Sequence, residues 1–238
     1  MFRGHVLQTF GSLGGCRCLA EDGQLRPLPF ATVLEAGDSR VFRGAVSLVR
    51  PTGLSVISDI DDTVKITEVS DKRKVLENTF VKPFRAVDGM AAAYRRWTDA
   101  GASLHFASAS PWQLYQPLST FFQEAGFPSA TYHLRRVRLK DSSVLSLLAD
   151  PLQVKLPLLE VFFTDYPRRT FILVGDSGER DPEAYGELAR RHPDQVSRVY
   201  VRDVTGEPRE SARYQRAFQG VPAEKWVVFK DPADLAGP

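Results

Sequence analysis

Short apolar runs separated by Gly- and Pro-marked breaks set the pattern of this chain. Leu54 to Ser58 is mostly apolar, rich in β-branched residues and without helical period, which predicts a strand buried on both faces. Further strands are predicted at Ser103 to Ala107, near Tyr132 to Leu134, at Thr170 to Val174, at Val196 to Val201 and at the run WVVF. Helical patterns lie between them. Asp88 reads as an N-cap to a helix over Gly89 to Ala100, with Gly101 closing it. Another runs from Pro111 to about Ala125 and ends at Gly126, with Ser110 as its cap and Pro111 as its first residue. Others follow over Val154 to Phe163, from Pro182, and over Arg209 to Phe218, and KRKVLENTF also reads as helical. Alternating strands and helices predict an α/β fold with a doubly wound parallel sheet over residues 51–238. Residues 1–50 carry the runs GHVLQTF, FATVLEA and RVFRGAVSLV and read as a short β-rich segment, either the remnant of a small β-domain or an edge layered on the main sheet.

Composition narrows the function classes. At 238 residues the chain can bury one sizeable core plus an appendage, and 43% hydrophobic with 25% charged residues describes an ordinary globule. A net charge of +2 gives no case for nucleic acid. Basic residues do cluster, at Lys72, Arg73 and Lys74 and at Arg135, Arg136, Arg138 and Lys140, and each cluster reads first as a solvated face. Cys16 and Cys18 are the only cysteines, so neither a zinc site nor a disulfide framework is indicated, and a reducing, cytoplasmic setting is expected. The start, MFRGHVLQTF, lacks the apolar core of a signal peptide, and no run approaches the ~18 apolar residues of a membrane span. The expectation is a soluble protein, peripheral to a membrane at most.

The first predicted strand runs straight into acid. Asp59 and Asp61 are two apart, so on extended chain both would point the same way at the strand's carboxyl end, where open α/β sheets place ligands. With Asp62 beside them the carboxylates repel, and Mg²⁺, a hard cation taking oxygen ligands, is the candidate to offset this. The chemistry such a pair suits is covalent phosphoryl transfer, one carboxylate attacking phosphorus and the other handling the leaving group's proton. A phosphate dianion approaching a carboxylate also needs its charge neutralised, which Mg²⁺ plus a lysine would supply.

Four polar clusters follow one another at strand or helix ends: Asp59, Asp61 and Thr63; then Ser108; then Lys155; then Asp176 and Asp181. This order resembles the haloacid dehalogenase superfamily, whose signatures are DxDxT, a strand-terminal Ser or Thr, a Lys, and GDxxxxD. More narrowly, SVISDIDDTVK, ENTF, SASPWQLY and GDSGERDPEAY, within Phe42 to Thr205, resemble the actin-patch-associated, Mg²⁺-dependent phosphatidate phosphatase family. The resemblance implies Asp59 as a nucleophile that becomes an aspartyl phosphate and Asp61 as general acid and then base. It also implies Mg²⁺ held by Asp59, Asp176 and the backbone carbonyl of Asp61. Ser108 and Lys155 are expected to clamp phosphate, although Lys140 lies in the same interval; Lys155 is preferred because it opens the helix leading into the fourth strand. Thr63 is expected to orient the loop, Asp181 to cap its helix while facing the metal, and Ser110 chiefly to cap. GDSG also surrounds the nucleophile of trypsin-like proteases, but Glu179 stands where glycine would follow; a receiver domain would be about half this length with its acidic pair adjacent.

The resemblance makes phosphatidate the expected substrate, with a soluble phosphate ester as the alternative and a non-catalytic interaction module on the same fold as the more distant one. The insert after Thr63 is small for a cap domain, leaving a crevice open to a bulky or interfacial substrate. VLSLL, at Val144 to Leu148, lies next to the Arg135 to Lys140 cluster and could form with it a surface for an anionic membrane, unless it packs into the core.

Overall fold

The computed structural model describes residues 27–32, 34, 37–67, 83–135 and 151–237. The chain divides into two compact units, Met1–Arg50 and Pro51–Pro238. In the first, β1 (Leu28–Ala31) and β2 (Arg43–Val46) pair antiparallel.

The second unit is built on a six-stranded, wholly parallel sheet of β3 (Thr52–Ser58), β4 (Ser103–Pro111), β5 (Ala130–Arg135), β6 (Arg168–Asp176), β7 (Val196–Arg202) and β8 (Trp226–Phe229), in the order β5-β4-β3-β6-β7-β8. Among the described residues five α-helices lie between the strands: α1 (Met90–Asp99), α2 (Tyr115–Glu124), α3 (Pro151–Asp165), α4 (Asp181–Arg191) and α5 (Ala212–Ala217). Successive strand residues face opposite sides, and both sides are covered. Val56, Phe106, Ile172, Val174 and Tyr200 pack with Tyr94 and Trp97 of α1 and Phe122 of α2. Ile57, Phe171, Leu173, Val199 and Val201 pack with Phe162 and Phe163 of α3, Tyr185 and Leu188 of α4 and Tyr214 of α5. This two-sided burial explains why the strands read as continuous apolar runs. From β3 the chain proceeds outward to β4 and β5, and then returns to β6 on the other flank. The carboxyl ends of β3 and β6 therefore form the switch point at which open α/β sheets bind ligands.

The helix ends differ from the expected ones in an instructive way. Gly101 (φ 95°) and Gly126 (φ 73°) do end α1 and α2 in left-handed conformation. Asp88 does not cap α1: the N-cap is Gly89 (φ 85°), whose left-handed turn starts the helix without a side-chain hydrogen bond. Pro111 is not a first helical residue either. Its backbone is extended (φ −71°, ψ 148°) as the end of β4, paired with Arg135, and a 3₁₀ turn at Trp112–Leu114 precedes α2. KRKVLENTF lies outside the described residues, as does most of the insert after Thr63. No described helix is long and apolar enough to cross a membrane.

Candidate active site

Parallel pairing of β3 with β6, in the register Ser58 to Val174, brings Asp59, just past β3, near Asp176, the last residue of β6. The Asp59 N–H donates to the Val174 carbonyl (2.9 Å) and fixes the turn out of β3. From α3, Lys155 reaches Asp59 Oδ1 at 3.0 Å and also pairs with Asp181 of α4. Glu179 lies 3.6 Å from the same ammonium. Asp181 Oδ2 accepts from the Asp176 N–H (3.1 Å), and Asp176 Oδ1 accepts from Gly178 (2.6 Å) and Glu179 (3.2 Å). Gly175 makes the junction possible, since a Cβ there would collide with the Asp181 carboxylate and crowd the Tyr185 ring. With both oxygens turned inward, Asp181 does not cap α4; the N-cap is Arg180.

One carboxylate oxygen each of Asp59, Asp176 and Asp181 lies within 4.8 Å of the others, and all three residues are buried. Asp59 Oδ2 and Asp176 Oδ2 are buried with no hydrogen-bond partner. Three buried carboxylates against one buried ammonium leave two negative charges. An oxygen-only donor set with that charge and two unpartnered oxygens fits a hard divalent cation. Burial pushes the Asp59 carboxyl well up; Lys155 opposes this, and Asp181, Glu179 and Asp176 add to it. Burial and Asp181 likewise raise Asp176. Burial alone would lower Lys155, but Asp181 and Asp59 raise it far above the usual lysine range, so the ammonium stays charged.

Asp61 has partners of its own. Both aspartates follow the carboxyl end of β3, but the chain turns there rather than staying extended: Val64 and Lys65 N–H groups donate to the Ile60 carbonyl (3.0 Å each), and Asp62 takes φ 52°. This turn folds Lys65 back onto Asp61 Oδ1 at 2.7 Å. Thr67 Oγ1 donates to the same oxygen (2.6 Å) and accepts from Lys65 Nζ (2.6 Å), while Ser110 Oγ donates to Asp61 Oδ2 at 2.9 Å. Burial pushes the Asp61 carboxyl up, but Lys65 and the bonds from Lys65, Thr67 and Ser110 outweigh it and hold the group below its ordinary value. The Lys65 ammonium is itself buried and sits 4.9 Å from the centre of the Phe84 ring. Lys65 and Thr67 were absent from the residues singled out in the sequence. The available signal was only that a lysine four residues after an aspartate can return to it across a turn.

The remaining residues take mixed positions. Ser108 is buried within β4, before the strand's irregular last residues, and its Oγ accepts from the Ser110 N–H (3.0 Å). Ser110, read as a cap, is instead a donor to Asp61, because Pro111 continues the strand. Thr63 Oγ1 is buried without a hydrogen-bond partner, so its hydroxyl does not anchor the loop. That role falls to Asp62, whose Oδ1 accepts from Thr67 N (2.7 Å) and whose carbonyl accepts from Arg202 (2.6 Å). Ser177 of GDSG is buried, with its hydroxyl accepting from Val204 N (2.9 Å) and Thr205 N (3.1 Å). It braces a loop and is no protease nucleophile. Lys140, VLSLL and the basic cluster apart from Arg135 lie outside the described residues, as do Lys72, Arg73 and Lys74.

Residues 54–203 match the family model described as "Phosphatidate phosphatase APP1, catalytic domain". An uncharacterized protein of Schizosaccharomyces pombe is 34% identical over 170 residues, covering 69% of this chain and 27% of the relative. Phosphatidate phosphatase APP1 of Saccharomyces cerevisiae is 33% identical over 158 residues, covering 65% of this chain and 26% of the relative. The chain thus spans about a quarter of the length of these curated relatives. Among solved structures, a putative β-phosphoglucomutase from Thermotoga maritima has a TM-score of 0.41 at 14% identity, covering 75% of this chain and 94% of that one. The Pnkp1/Rnl/Hen1 complex contains a chain at the same TM-score and 11% identity, covering 67% and 54%.

Proposed function

The chain belongs to the family of the phosphatidate phosphatase APP1 catalytic domain, and from that premise we propose that it is a Mg²⁺-dependent phosphomonoester hydrolase acting on phosphatidate through an aspartyl-phosphate intermediate. The observation that carries the reading is the buried cluster at the β3/β6 switch point, where Asp59, Asp176 and Asp181 leave two carboxylate oxygens unpartnered beside Lys155.

Asp59 attacks phosphorus, forming the Asp59–phosphate bond as the bond to the leaving alkoxide breaks. Lys155, fixed between Asp59 and Asp181, neutralises charge on the phosphoryl oxygens. Ser108, buried in β4, is the neutral donor to the same oxygens. Asp61 takes a proton from the monoanionic phosphate ester and passes it to the leaving alkoxide; it then takes one from the water that cleaves the Asp59–phosphate bond, and loss of that proton to the released phosphate returns both carboxylates to their ionised starting forms. The cage of Lys65, Thr67 and Ser110 favours the ionised Asp61 that the second step requires. Asp59, Asp176 and the Asp61 backbone carbonyl would hold Mg²⁺, with Asp181 orienting Lys155 and the Asp176 backbone. When bound, the ion supplies Lewis-acid neutralisation of the phosphoryl oxygens. The lipid substrate implies peripheral contact with an anionic membrane.

The test compares phosphate release from phosphatidate in mixed micelles with release from a soluble aryl phosphate, with Mg²⁺ or EDTA and with Asp59→Asn as the blank. Mg²⁺-dependent release that favours phosphatidate and vanishes in the variant is the expected result. Release from the aryl ester alone discards the lipid and keeps the mechanism; release from neither overturns the enzyme reading.

A further inference from the structure

The two carboxylate oxygens of Asp176 meet different surroundings. Oδ1 accepts from the N–H groups of Gly178 (2.6 Å) and Glu179 (3.2 Å), whereas Oδ2 is buried without a hydrogen-bond partner. Two donors on one oxygen restrict the turn of the carboxylate about its stem, so whatever fixes those donors decides where Oδ2 points. Both belong to the loop between β6 and α4, and Gly178 has more backbone freedom than any other residue type and no side chain by which to be held. The start of the loop is anchored on β7 and the turn after it: the Ser177 N–H donates to the Arg202 carbonyl (2.9 Å), and the Ser177 hydroxyl accepts from Val204 N and Thr205 N. Those contacts leave the peptide that joins Ser177 to Gly178 still to be oriented.

Arg213 of α5 orients it. Its Nη1 donates to the Ser177 carbonyl (2.5 Å), and its Nη2 donates to the Glu179 carbonyl. A planar trans peptide points its C=O and its N–H in opposite directions, so holding the Ser177 oxygen aims the Gly178 hydrogen at Asp176 Oδ1. A cationic donor on the carbonyl also polarises the peptide and strengthens its N–H as a donor. The guanidinium is itself fixed: Nε and Nη2 donate to the two carboxylate oxygens of Glu183 in the first turn of α4 (3.0 and 3.2 Å), and Glu207 lies 3.7 Å from Nη1. Four of its five N–H groups are thus engaged, in a fork that spans a carboxylate of α4 and the backbone of the loop before it. An ammonium, a point charge on a flexible stem, cannot span both. Arg213 lies beyond residue 203, where the match to the family model ends.

We propose that Arg213 is a positioning residue for the cation site, setting the plane of the Asp176 carboxylate through the Ser177–Gly178 peptide and thereby the affinity of the site for Mg²⁺. It acts through the loop backbone and is not itself a ligand. The proposal rests on the reading of Asp176 as a cation ligand and is independent of which ester is hydrolysed. Charge and positioning predict opposite signs here. Removing a positive charge from the neighbourhood of a cation site tightens cation binding by Coulomb attraction alone. Loosening the outer partner of a ligand weakens it, by about ten- to a hundredfold at metal sites generally. A role confined to packing α5 on α4 lowers stability and leaves the affinity where it was.

The test is calorimetric titration of the 238-residue chain with Mg²⁺, with no phosphate ester present. Arg213→Gln and Arg213→Lys should both raise the dissociation constant at least about tenfold, the lysine because it keeps the charge without the fork. Arg216→Gln, on the same helix with its Nε on the Ala212 carbonyl, should leave the constant unchanged. Thermal midpoints in EDTA report how far each variant is destabilised, and Arg213→Lys carries the test if the glutamine variant does not fold. An unchanged or smaller dissociation constant in the Arg213 variants overturns the proposal. So does a variant that binds Mg²⁺ like the parent but turns over aryl phosphate more slowly at saturating Mg²⁺. A parent chain that takes up no Mg²⁺ overturns the cation reading and this proposal together. Weakened Mg²⁺ binding in the variants of a chain that releases no phosphate from any ester supports the role of Arg213 and sinks the phosphatase reading alone.

Discussion

Asp59 and Asp61 are separated by one residue, and their surroundings could hardly differ more. Asp59, with 2% of its side chain exposed, shares one lysine with two further buried acids and keeps an oxygen without a partner. Asp61, at 14%, has its own lysine and a hydrogen bond to each oxygen. Burial raises the first carboxyl, whereas its partners hold the second down. The difference teaches that carboxylate clustering in a sequence is no measure of negative charge in a site. Much of the repulsion expected within DIDD is offset by Lys65 and Lys155, and the uncompensated charge sits where β6 adds Asp176 and α4 adds Asp181.

The comparison breaks most sharply on the pair itself. Asp59→Asn is expected to lower phosphate release at least about a thousandfold for every substrate, because it removes the attacking group. Asp61→Asn should cost about a hundredfold or more on phosphatidate and less on an aryl phosphate, whose leaving group departs without a proton. Equal losses on both esters would contradict the division of roles, and steady-state rates on the two substrates read it directly.

Breaking one partner of a buried ion pair leaves the other charge uncompensated. Lys65→Met should therefore cost about 3 kcal/mol in urea unfolding at neutral pH, and Ser110→Ala only about 1 kcal/mol. If Lys65→Met unfolds like the parent, Asp61 does not depend on its lysine. For the Asp59 cluster the corresponding probe is metal. Mg²⁺ at a hundredfold its dissociation constant should stabilise the fold by about 2.7 kcal/mol, raising the thermal midpoint, and Asp176→Asn should abolish that rise. A midpoint indifferent to Mg²⁺ and EDTA would count against a cation among these oxygens.

A third buried polar group serves as a control remote from both aspartates. His105 bonds to Ser55 (3.0 Å) and Thr131 (2.7 Å), and Thr131 to His133 (3.0 Å), across β3, β4 and β5. Burial pushes His105 down to about 3, helped by His133 and Arg169, and His133 down to about 4. Both lie below the usual histidine value of 6.5, so below pH 6.5 the unfolded chain binds more protons than the folded one. Stability should be unaffected by these groups above that pH. Below it, stability should fall by about 1 kcal/mol per pH unit for each histidine, until the folded-state values are reached. Urea midpoints at pH 7 and pH 5, compared with those of His105→Gln, check this; an equal drop in the variant would assign the acid sensitivity to other groups.

Much of the fold was legible because its signals are local. Apolar runs marked each strand of the main sheet, and Gly101 and Gly126 marked two helix ends. The misreadings were local rules overridden by distant partners. Ser110 before Pro111 has the form of a cap, but the strand continues through the proline because β5 is there to pair with it, and the hydroxyl turns to Asp61. Asp181 before Pro182 has the same form, and Lys155 with the Asp176 backbone draws it inward. Lys65 and Thr67 escaped notice because nothing in a linear string distinguishes a lysine that ends a motif from one folded back under it.

The order of strands and helices, the two-sided burial of the sheet and the acids and lysine at its ends are written in the linear chain, since each follows from side-chain chemistry and short-range periodicity. Only the tertiary structure decided which charge answers which. Placing β6 next to β3 sets Lys155, Asp176 and Asp181 around Asp59, while the turn at Ile60 gives Asp61 to Lys65 and the end of β4 gives it Ser110. Charge pairing acts through space over a few ångströms, and those distances exist only after the strands have chosen their neighbours.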